Sequence, residues 1–221
     1  MPFRDRRDAG LHLAAALARY RAEQPVVLAL PRGGVPVAAE IATALGAPLD
    51  LIFVRKIGVP YQKELAMGAI VDGSQPTIVR NADVIAVARV SEAEFRAVCD
   101  QELAEIARRR RLYGGGRPPV PVAGRTVIVV DDGLATGATM KAALRALKSR
   151  GPQRLVMAVP VAPADTLAEM ASEADDSVCL EMPEIFGAIG AFYDDFRQVS
   201  DRQVIALLAA CNAAQPAAPR A

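Results

Sequence analysis

The fold is decided by the stretch Val127–Met140, which reads VIVVDDGLATGATM. Its first four residues are β-branched and apolar, which is typical of a short strand buried on both faces of a parallel sheet. That strand delivers Asp131 and Asp132 at its carboxyl end, and ligands bind at this edge of open parallel sheets. A loop of small residues then leads into a helix that begins near Thr139. The stretch therefore predicts a ligand site at the end of a central strand.

The loop between this strand and the helix suits a phosphate group. Small residues at a helix N-terminus expose backbone N–H groups at the positive end of the helix dipole. Gly137 permits unusual backbone angles, and Thr136 and Thr139 add hydroxyl donors. The adjacent carboxylates of Asp131 and Asp132 suit a sugar diol, a hydrated magnesium ion, or both. The spacing matches neither a Walker A loop nor a GxGxxG dinucleotide turn, and an ordinary strand–turn–helix connection is the plainer alternative.

Alternating strands and helices on both sides of this stretch predict an α/β domain. Val26–Leu30 and Leu49–Val54 are apolar runs separated by a helical segment at Val37–Leu45, which is the pattern of a βαβ unit with parallel strands. Downstream, helices are predicted at 139–150 and 164–174, and strands at 155–159 and 177–180. We expect an open, mainly parallel, twisted sheet flanked by helices.

Other segments carry helix caps or breakers of regular structure. Asp8 is predicted to cap a first helix that ends near Tyr20, and the capping box Ser91–Glu94 opens a helix that ends near Tyr113. Arg55–Met67 is polar and contains a glycine and a proline, so we expect an irregular segment there.

Composition and charge narrow the class of protein. The 221 residues include 26 basic and 25 acidic side chains, so the chain lacks the excess of positive charge typical of nucleic-acid binding. The run Arg108–Arg111 is interpreted as a solvated helix end. The three cysteines form no CxxC pair, and neither a signal peptide nor an apolar run of membrane-spanning length is recognised. We expect a cytoplasmic protein that contacts neither nucleic acid nor membrane.

Val127–Thr139 resembles the signature of type I phosphoribosyltransferases that binds 5-phosphoribosyl-1-pyrophosphate (PRPP). Both consist of four apolar residues, two acids and a small loop of the form Thr-Gly-x-Thr. The resemblance implies that Asp131 and Asp132 contact the ribose hydroxyls and hold Mg²⁺ through water. It also implies that the following loop binds the 5′-phosphate through Ala135, Thr136, Gly137, Ala138 and Thr139.

A second segment, Leu30–Pro36, resembles the pyrophosphate loop of the xanthine-type members of that family. It carries Arg-Gly-Gly directly after a strand. Gly33 and Gly34 let backbone amides approach an anion, and Arg32 offers a bidentate donor to phosphate oxygens. The resemblance also makes Pro31–Arg32 a candidate for a cis peptide bond. Taken alone, the segment is equally well explained as a turn.

A third segment, Val54–Gly58, resembles the part of adenine- and orotate-type members that precedes a mobile loop. Arg55 and Lys56 would contact pyrophosphate, and Lys63 would act from the loop. A solvated strand end is the alternative for the first two residues, and a plain surface position is the alternative for Lys63.

The order of features along the whole chain resembles a poorly characterised branch of the superfamily with an inserted helical segment. We expect a single phosphoribosyltransferase domain over 1–212, with the insertion at 81–113, a C-terminal hood region at 181–200 and a disordered tail at 213–221. Within the hood, Phe186, Phe192 and Tyr193 are candidates to stack on a planar acceptor, although they equally fit a purely structural role.

These resemblances imply an enzyme that transfers 5-phosphoribosyl from PRPP to a nitrogen acceptor, using Mg²⁺ and releasing pyrophosphate. Asp131, Asp132, Arg32 and Lys63 are the candidate catalytic residues. The expected partners are PRPP, a small-molecule acceptor and a second copy of the chain in a homodimer. The alternative is a protein of the same fold that senses PRPP with little or no catalysis.

Overall fold

A five-stranded parallel sheet forms the centre of the computed structural model, which describes residues 2–73, 75–114 and 117–213. The strand order is β2-β1-β6-β7-β8, and every neighbouring pair is parallel. The predicted α/β class with a mainly parallel sheet is confirmed. The strands are β1 (Val26–Ala29), β2 (Leu49–Leu51), β6 (Thr126–Val130), β7 (Arg154–Val161) and β8 (Asp176–Glu181).

Helices cover both faces of this sheet because alternate strand residues point to opposite sides. Val27 and Ile128 belong to the apolar cluster on one face, whereas Val127 and Val129 belong to the cluster on the other. Helices α1 (Arg6–Ala16), α2 (Gly34–Leu45) and α7 (Asp201–Ala213) contribute to the first cluster, and helices α5 (Ala138–Lys148) and α6 (Ala164–Met170) contribute to the second.

A second, antiparallel sheet replaces the irregular segment predicted over Arg55–Met67. It consists of β3 (Val54–Val59), β4 (Gln62–Val71) and β5 (Thr77–Arg80), in the order β3-β4-β5. The prediction was wrong because one half of the hairpin is exposed, so its residues are polar although they are extended. Gly58, which was predicted to break the structure, lies at a register shift between β3 and β4.

The predicted strand Leu49–Val54 is also divided. Its first half is β2 of the parallel sheet, and Val54 begins β3 of the second sheet. Between them, the backbone N–H of Phe53 donates to Oδ1 of Asp72 at 2.7 Å, so a side chain takes the place of a strand partner. An apolar run shows that a segment is buried, but it does not show which sheet the segment joins.

The segment predicted to be an insertion contains a short helix, α3 (Ala82–Val87), and a long helix, α4 (Glu92–Gly114). The predicted capping box is present: Ser91 N donates to Glu94 Oε2 at 2.8 Å, and Glu94 N donates to Ser91 Oγ at 3.3 Å. The interpretation of the arginine run as a solvated helix end is wrong for Arg110, which forms ion pairs with two acids beneath the helix.

The ends of the described chain differ from the predictions in detail. The first helix is capped by Asp5, whose side chain accepts a hydrogen bond from Asp8 N, and not by Asp8 itself. Helix α7 ends at Ala213, and the predicted disordered tail beyond it lies outside the described residues. Among the helices of the described ranges, none combines the length and the apolar character that a membrane span requires.

Candidate functional site

The acidic pair lies at the carboxyl end of β6, as the sequence predicted. Asp132 is buried, and Asp131 is largely covered. The backbone N–H of Asp132 donates to Oδ1 of Asp131 at 2.9 Å. Burial, together with the neighbouring charge of Asp132, raises the pKa of Asp131 well above its ordinary value. Two carboxylates in this position favour a bound cation or a hydrogen-bond donor.

The loop after the acidic pair leads into the N-terminus of α5. Gly137 is the N-cap, with φ of +67°, a left-handed conformation that glycine adopts without strain. A Cβ atom there would lie 2.9 Å from Cγ2 of Thr166, so the position also lacks room for a side chain. Thr166 Oγ1 donates to the backbone oxygen of Ala135 at 2.9 Å, which holds the loop from its other side.

The predicted phosphate-binding residues lie together in this loop and in the first turn of α5. Thr136 and Thr139 are exposed to solvent. The first N–H groups of a helix have no partner within the helix, so this end of α5 offers donors at the positive end of its dipole. The five residues brought together are Ala135, Thr136, Gly137, Ala138 and Thr139.

The second predicted loop, after β1, contacts the acidic pair directly. The peptide bond between Pro31 and Arg32 is cis, as the resemblance implied. A Cβ atom at Gly33 would lie 2.1 Å from Asp132 Oδ2, and one at Gly34 would lie 2.6 Å from the backbone oxygen of Val130. Only glycine at both positions allows the two loops to approach this closely, so they form one continuous surface.

The predicted pyrophosphate-binding cations are each paired with an acid. Arg32 Nη1 lies 3.4 Å from Asp201 Oδ1, at the start of α7. Arg55 Nε lies 2.6 Å from Glu102 Oε2 on α4. Lys56 Nζ lies 3.1 Å from Glu64 Oε2, within the hairpin.

Arg55 and Lys56 lie on β3 of the second sheet, while Arg32 lies in the loop after β1 of the parallel sheet. Together with Lys63, these two hairpin residues line a cleft of about 540 Å³ between the hairpin and α4. The pyrophosphate-binding residues predicted from the sequence are therefore distributed over two sheets.

Of the predicted acceptor-binding residues, Tyr193 is placed differently from the other two. Its ring is buried, with 6% of its surface exposed, and its hydroxyl donates to the backbone oxygen of Asp132 at 2.6 Å. Burial raises the pKa of the Tyr193 hydroxyl above its ordinary value, so it remains a donor. Because the Tyr193 ring is buried, it leaves no face for a planar base. Phe186 and Phe192 are partly exposed and stack on each other, with ring centroids 5.5 Å apart.

Sequence reasoning missed Arg6 as a residue of the site. Its Nε lies 2.7 Å from Asp132 Oδ2, and the side chains are only 11% and 12% exposed. The two residues are 126 positions apart, and no motif connects them. In the sequence, Arg6 stands out only as part of the N-terminal segment that resembles the family branch. That resemblance assigned no role to the arginine.

The acidic pair has the type of donor atom that a magnesium ion requires. Asp131 and Asp132 offer carboxylate oxygens, which are the ligands that Mg²⁺ prefers in proteins. Within residues 2–73, 75–114 and 117–213, no cluster of three or more His, Cys, Asp or Glu side chains is placed to hold a metal ion.

Comparisons with a family model, with curated proteins and with solved structures each found proteins similar to this chain. The family model for the phosphoribosyl transferase domain matches residues 6–197. Two curated proteins of Mycobacterium tuberculosis strains, each named "Putative phosphoribosyl transferase", are 47% identical over 206 residues, which is 93% of this chain. The chain spans 46% of the length of those relatives. The crystal structure of TT1426 from Thermus thermophilus is similar, with a TM-score of 0.80 and 42% identity, covering 94% of this chain and 98% of that one.

Proposed function

The chain belongs to the phosphoribosyl transferase domain family, and from that premise we propose that it transfers 5-phosphoribosyl from PRPP to a nitrogen acceptor. Pyrophosphate is the leaving group. The observation that carries the proposal is the contact of Gly33 with Asp132, which joins two loops suited to anions on either side of one acidic pair. A ligand with a phosphate at one end, a pyrophosphate at the other and a diol between them matches that arrangement.

Each part of the site has a role in this proposal. The loop from Ala135 to Thr139 binds the 5′-phosphate through backbone N–H groups and two hydroxyls. Asp131 and Asp132 accept hydrogen bonds from the ribose hydroxyls and balance the positive charge that develops on the sugar as the bond to pyrophosphate breaks. Arg32 and the amides beside it stabilise the negative charge on the departing pyrophosphate.

The basic residues of the β3–β4 hairpin provide the remaining contacts to pyrophosphate in this proposal. Arg55 and Lys56 exchange their present acidic partners for phosphate oxygens, and Lys63 approaches from the start of β4. The pair of Lys56 with Glu64 is exposed, so it contributes little stability and costs little to exchange, whereas the pair of Arg55 with Glu102 is partly buried. Binding in this way covers the reacting carbon and excludes water that would hydrolyse the activated sugar.

Magnesium is part of the proposal as a cofactor bound with PRPP. Asp131 and Asp132 would hold it, through water molecules, because they are the hard oxygen ligands at the sheet edge. When bound, the ion supplies positive charge that neutralises phosphate oxygens during departure of pyrophosphate.

The acceptor is proposed only by class, as a small nitrogen nucleophile such as a nucleobase. Phe186 and Phe192 remain the candidates to stack on it, because part of each ring is exposed. Tyr193 is no longer among them, because its ring is buried and its hydroxyl is bonded to Asp132. We also propose that the active form is a homodimer.

The experiment that tests this proposal is pyrophosphate release from PRPP and Mg²⁺ across a panel of nucleobases and small amines. We expect turnover with one acceptor class, reduced at least about 100-fold in the double variant Asp131→Asn with Asp132→Asn. Asp165→Asn, an exposed acid on α6, is the matched control and should behave as wild type. PRPP binding without turnover on any acceptor would favour the sensor, and failure to bind PRPP would contradict the proposal altogether.

A further inference from the structure

Arg6 is held on three sides at the edge of the candidate site. Its Nε donates to Asp132 Oδ2 at 2.7 Å, and its Nη1 donates to the backbone oxygen of Arg197 at 2.9 Å. Its guanidinium carbon lies 3.8 Å from the centroid of the Phe196 ring. A guanidinium that satisfies a carboxylate, a carbonyl and an aromatic ring together has one orientation. Arg6 is therefore a fixed group in the described structure.

The chain segments around Arg6 are bonded to each other. Phe3 N donates to the backbone oxygen of Phe192 at 2.8 Å, and Asp194 N donates to the backbone oxygen of Phe3 at 2.8 Å. The ring of Phe3 lies 5.6 Å from that of Tyr193, whose hydroxyl bonds the main chain of Asp132. The N-terminal segment and the hood thus hold Asp132 by both its side chain and its backbone.

We propose that Arg6 is a positioning residue for Asp132, which it orients so that one carboxylate oxygen is held and the other faces the bound sugar. The inference rests on the proposed function, because it gives Asp132 a partner in that reaction. Arg6 itself does not contact the reacting atoms. It acts through the carboxylate that it fixes.

The geometry explains why orientation matters at this residue. Oδ2 of Asp132 is taken by Arg6, which leaves Oδ1 as the oxygen available to a ribose hydroxyl. The carboxylate also touches the pyrophosphate loop, because a Cβ atom at Gly33 would lie 2.1 Å from Oδ2 and 2.9 Å from Oδ1. The carboxylate and the loop are therefore packed together, with no room for a side chain between them. Fixing Asp132 therefore sets the relative position of both halves of the site.

The neighbouring residue Arg7 provides a matched control. It lies on the same helix, α1, and pairs with Glu40 through the same type of contact, Nε to Oε1 at 2.9 Å. Its side chain is 74% exposed, whereas that of Arg6 is 11% exposed. Replacing Arg6 or Arg7 removes one positive charge from nearly the same place in the chain. Of the two arginines, only Arg6 contacts the acidic pair.

The test compares Arg6→Gln, Arg6→Lys and Arg7→Gln with the wild-type chain. Binding of PRPP with Mg²⁺ is measured by calorimetry, release of pyrophosphate by steady-state kinetics with water or an acceptor from the panel, and folding by circular dichroism on heating. We expect Arg6→Gln to lower kcat about 10- to 100-fold, as loss of a supporting hydrogen bond to a ligand-binding group typically does. The KM for PRPP should rise by a smaller factor than kcat falls, because the ribose hydroxyls are bonded before and during the reaction, whereas the charge that Asp132 balances appears only in the transition state.

Arg6→Lys keeps the charge but lacks the planar fork, so its kcat should lie between those of wild type and Arg6→Gln. If Arg6→Gln does not fold, the test is the kcat of the folded Arg6→Lys variant compared with that of wild type. Equal kcat values in Arg6→Gln, Arg7→Gln and wild type would overturn the positioning role while leaving the proposed function intact. A wild-type chain that binds PRPP without turnover, or that does not bind PRPP at all, would overturn both the proposed function and the positioning role.

Discussion

Gly33 is the residue at which the two loops of the candidate site meet. Paired glycines after a strand predicted that a backbone would approach an anion, but not that a protein carboxylate would already lie beside them. The space that a side chain at Gly33 would need is occupied by the Asp132 carboxylate. The glycine is therefore required by the protein's own packing as well as by any ligand.

We predict that Gly33→Ala strongly reduces activity without unfolding the chain. The new Cβ atom would lie 2.1 Å from Asp132 Oδ2, so the carboxylate or the loop must move, and displacement of a catalytic group by about 1 Å costs on the order of 100-fold in rate. Pyrophosphate release measures the effect. Gly114→Ala is the control, because the corresponding Cβ atom meets nothing within 4 Å. Wild-type turnover by Gly33→Ala would show that Asp132 does not need its described position.

At the scale of elements, the end of α4 was predicted to within one residue from the sequence. Its start is determined by two local hydrogen bonds between Ser91 and Glu94, which depend only on residues three apart. The β3–β4 hairpin was missed for the opposite reason. Its partly exposed strands carry polar residues, and their pairing depends on a neighbour that the local pattern does not reveal.

We predict that Ser91→Ala lowers the free energy of unfolding by about 1 kcal/mol, because it leaves a helix N–H group without its cap. Urea denaturation monitored by circular dichroism would measure the change. Turnover should remain near wild type, since α4 contacts Arg55 through Glu102, which lies several turns beyond the cap. Ser172→Ala, at an exposed position, is the control. An unchanged midpoint in Ser91→Ala would mean that the capping box contributes nothing to stability.

At the scale of the whole molecule, Arg110 connects α4 to both sheets. Its guanidinium pairs with Asp50 of β2 at 2.8 Å and with Asp72, directly after β4, at 2.6 Å. It also donates to the backbone oxygen of Leu51 at 3.0 Å. Asp72 is 4% exposed, so its charge depends on this partner. Helix α4 is thus bound to the central sheet by a largely buried ionic cluster.

We predict that Arg110→Met lowers the free energy of unfolding by about 3–5 kcal/mol at neutral pH. The methionine fills much of the space, but the carboxylate of Asp72 loses its charged partner while it stays buried. Denaturant titration would measure the loss. Arg96→Met on the same helix is the control: its partner is the surface residue Glu92, and the arginine side chain is 75% exposed. Similar losses of unfolding free energy in Arg110→Met and Arg96→Met would show that burial of the Arg110 ion pairs makes no special contribution to stability.

We also predict that the loss of unfolding free energy in Arg110→Met depends on pH and becomes smaller as the pH falls. Burial raises the pKa of Asp72, and Arg110 opposes that rise, so removing the guanidinium raises the pKa further. For a group with a raised pKa, the stabilising contribution is present in full below its unfolded pKa and is lost as the pH rises through the folded one. The deficit of Arg110→Met should therefore be greatest near neutral pH and shrink on acidification. A deficit that grows as the pH falls would contradict this assignment.

The sequence by itself determined the parts of this protein that depend on neighbours along the chain. The buried strands, the α4 cap, and the acidic pair with its glycine-containing loop were all predicted from short stretches. The family was predicted from the same stretches, because its signature is contiguous. These features follow from side-chain alternation, helix capping and turn geometry, whose physical range is a few residues.

Tertiary structure alone decided which distant residues share the site and the core. Arg6 reaches Asp132 across 126 positions, Tyr193 donates to the backbone oxygen of Asp132, and Arg110 extends from α4 to Asp72. Such charged and polar pairs form only where folding excludes water and brings their elements together, because the same groups in an open chain are solvated separately. Their identity therefore depends on how the sheets and helices pack, and no local pattern of residues encodes it.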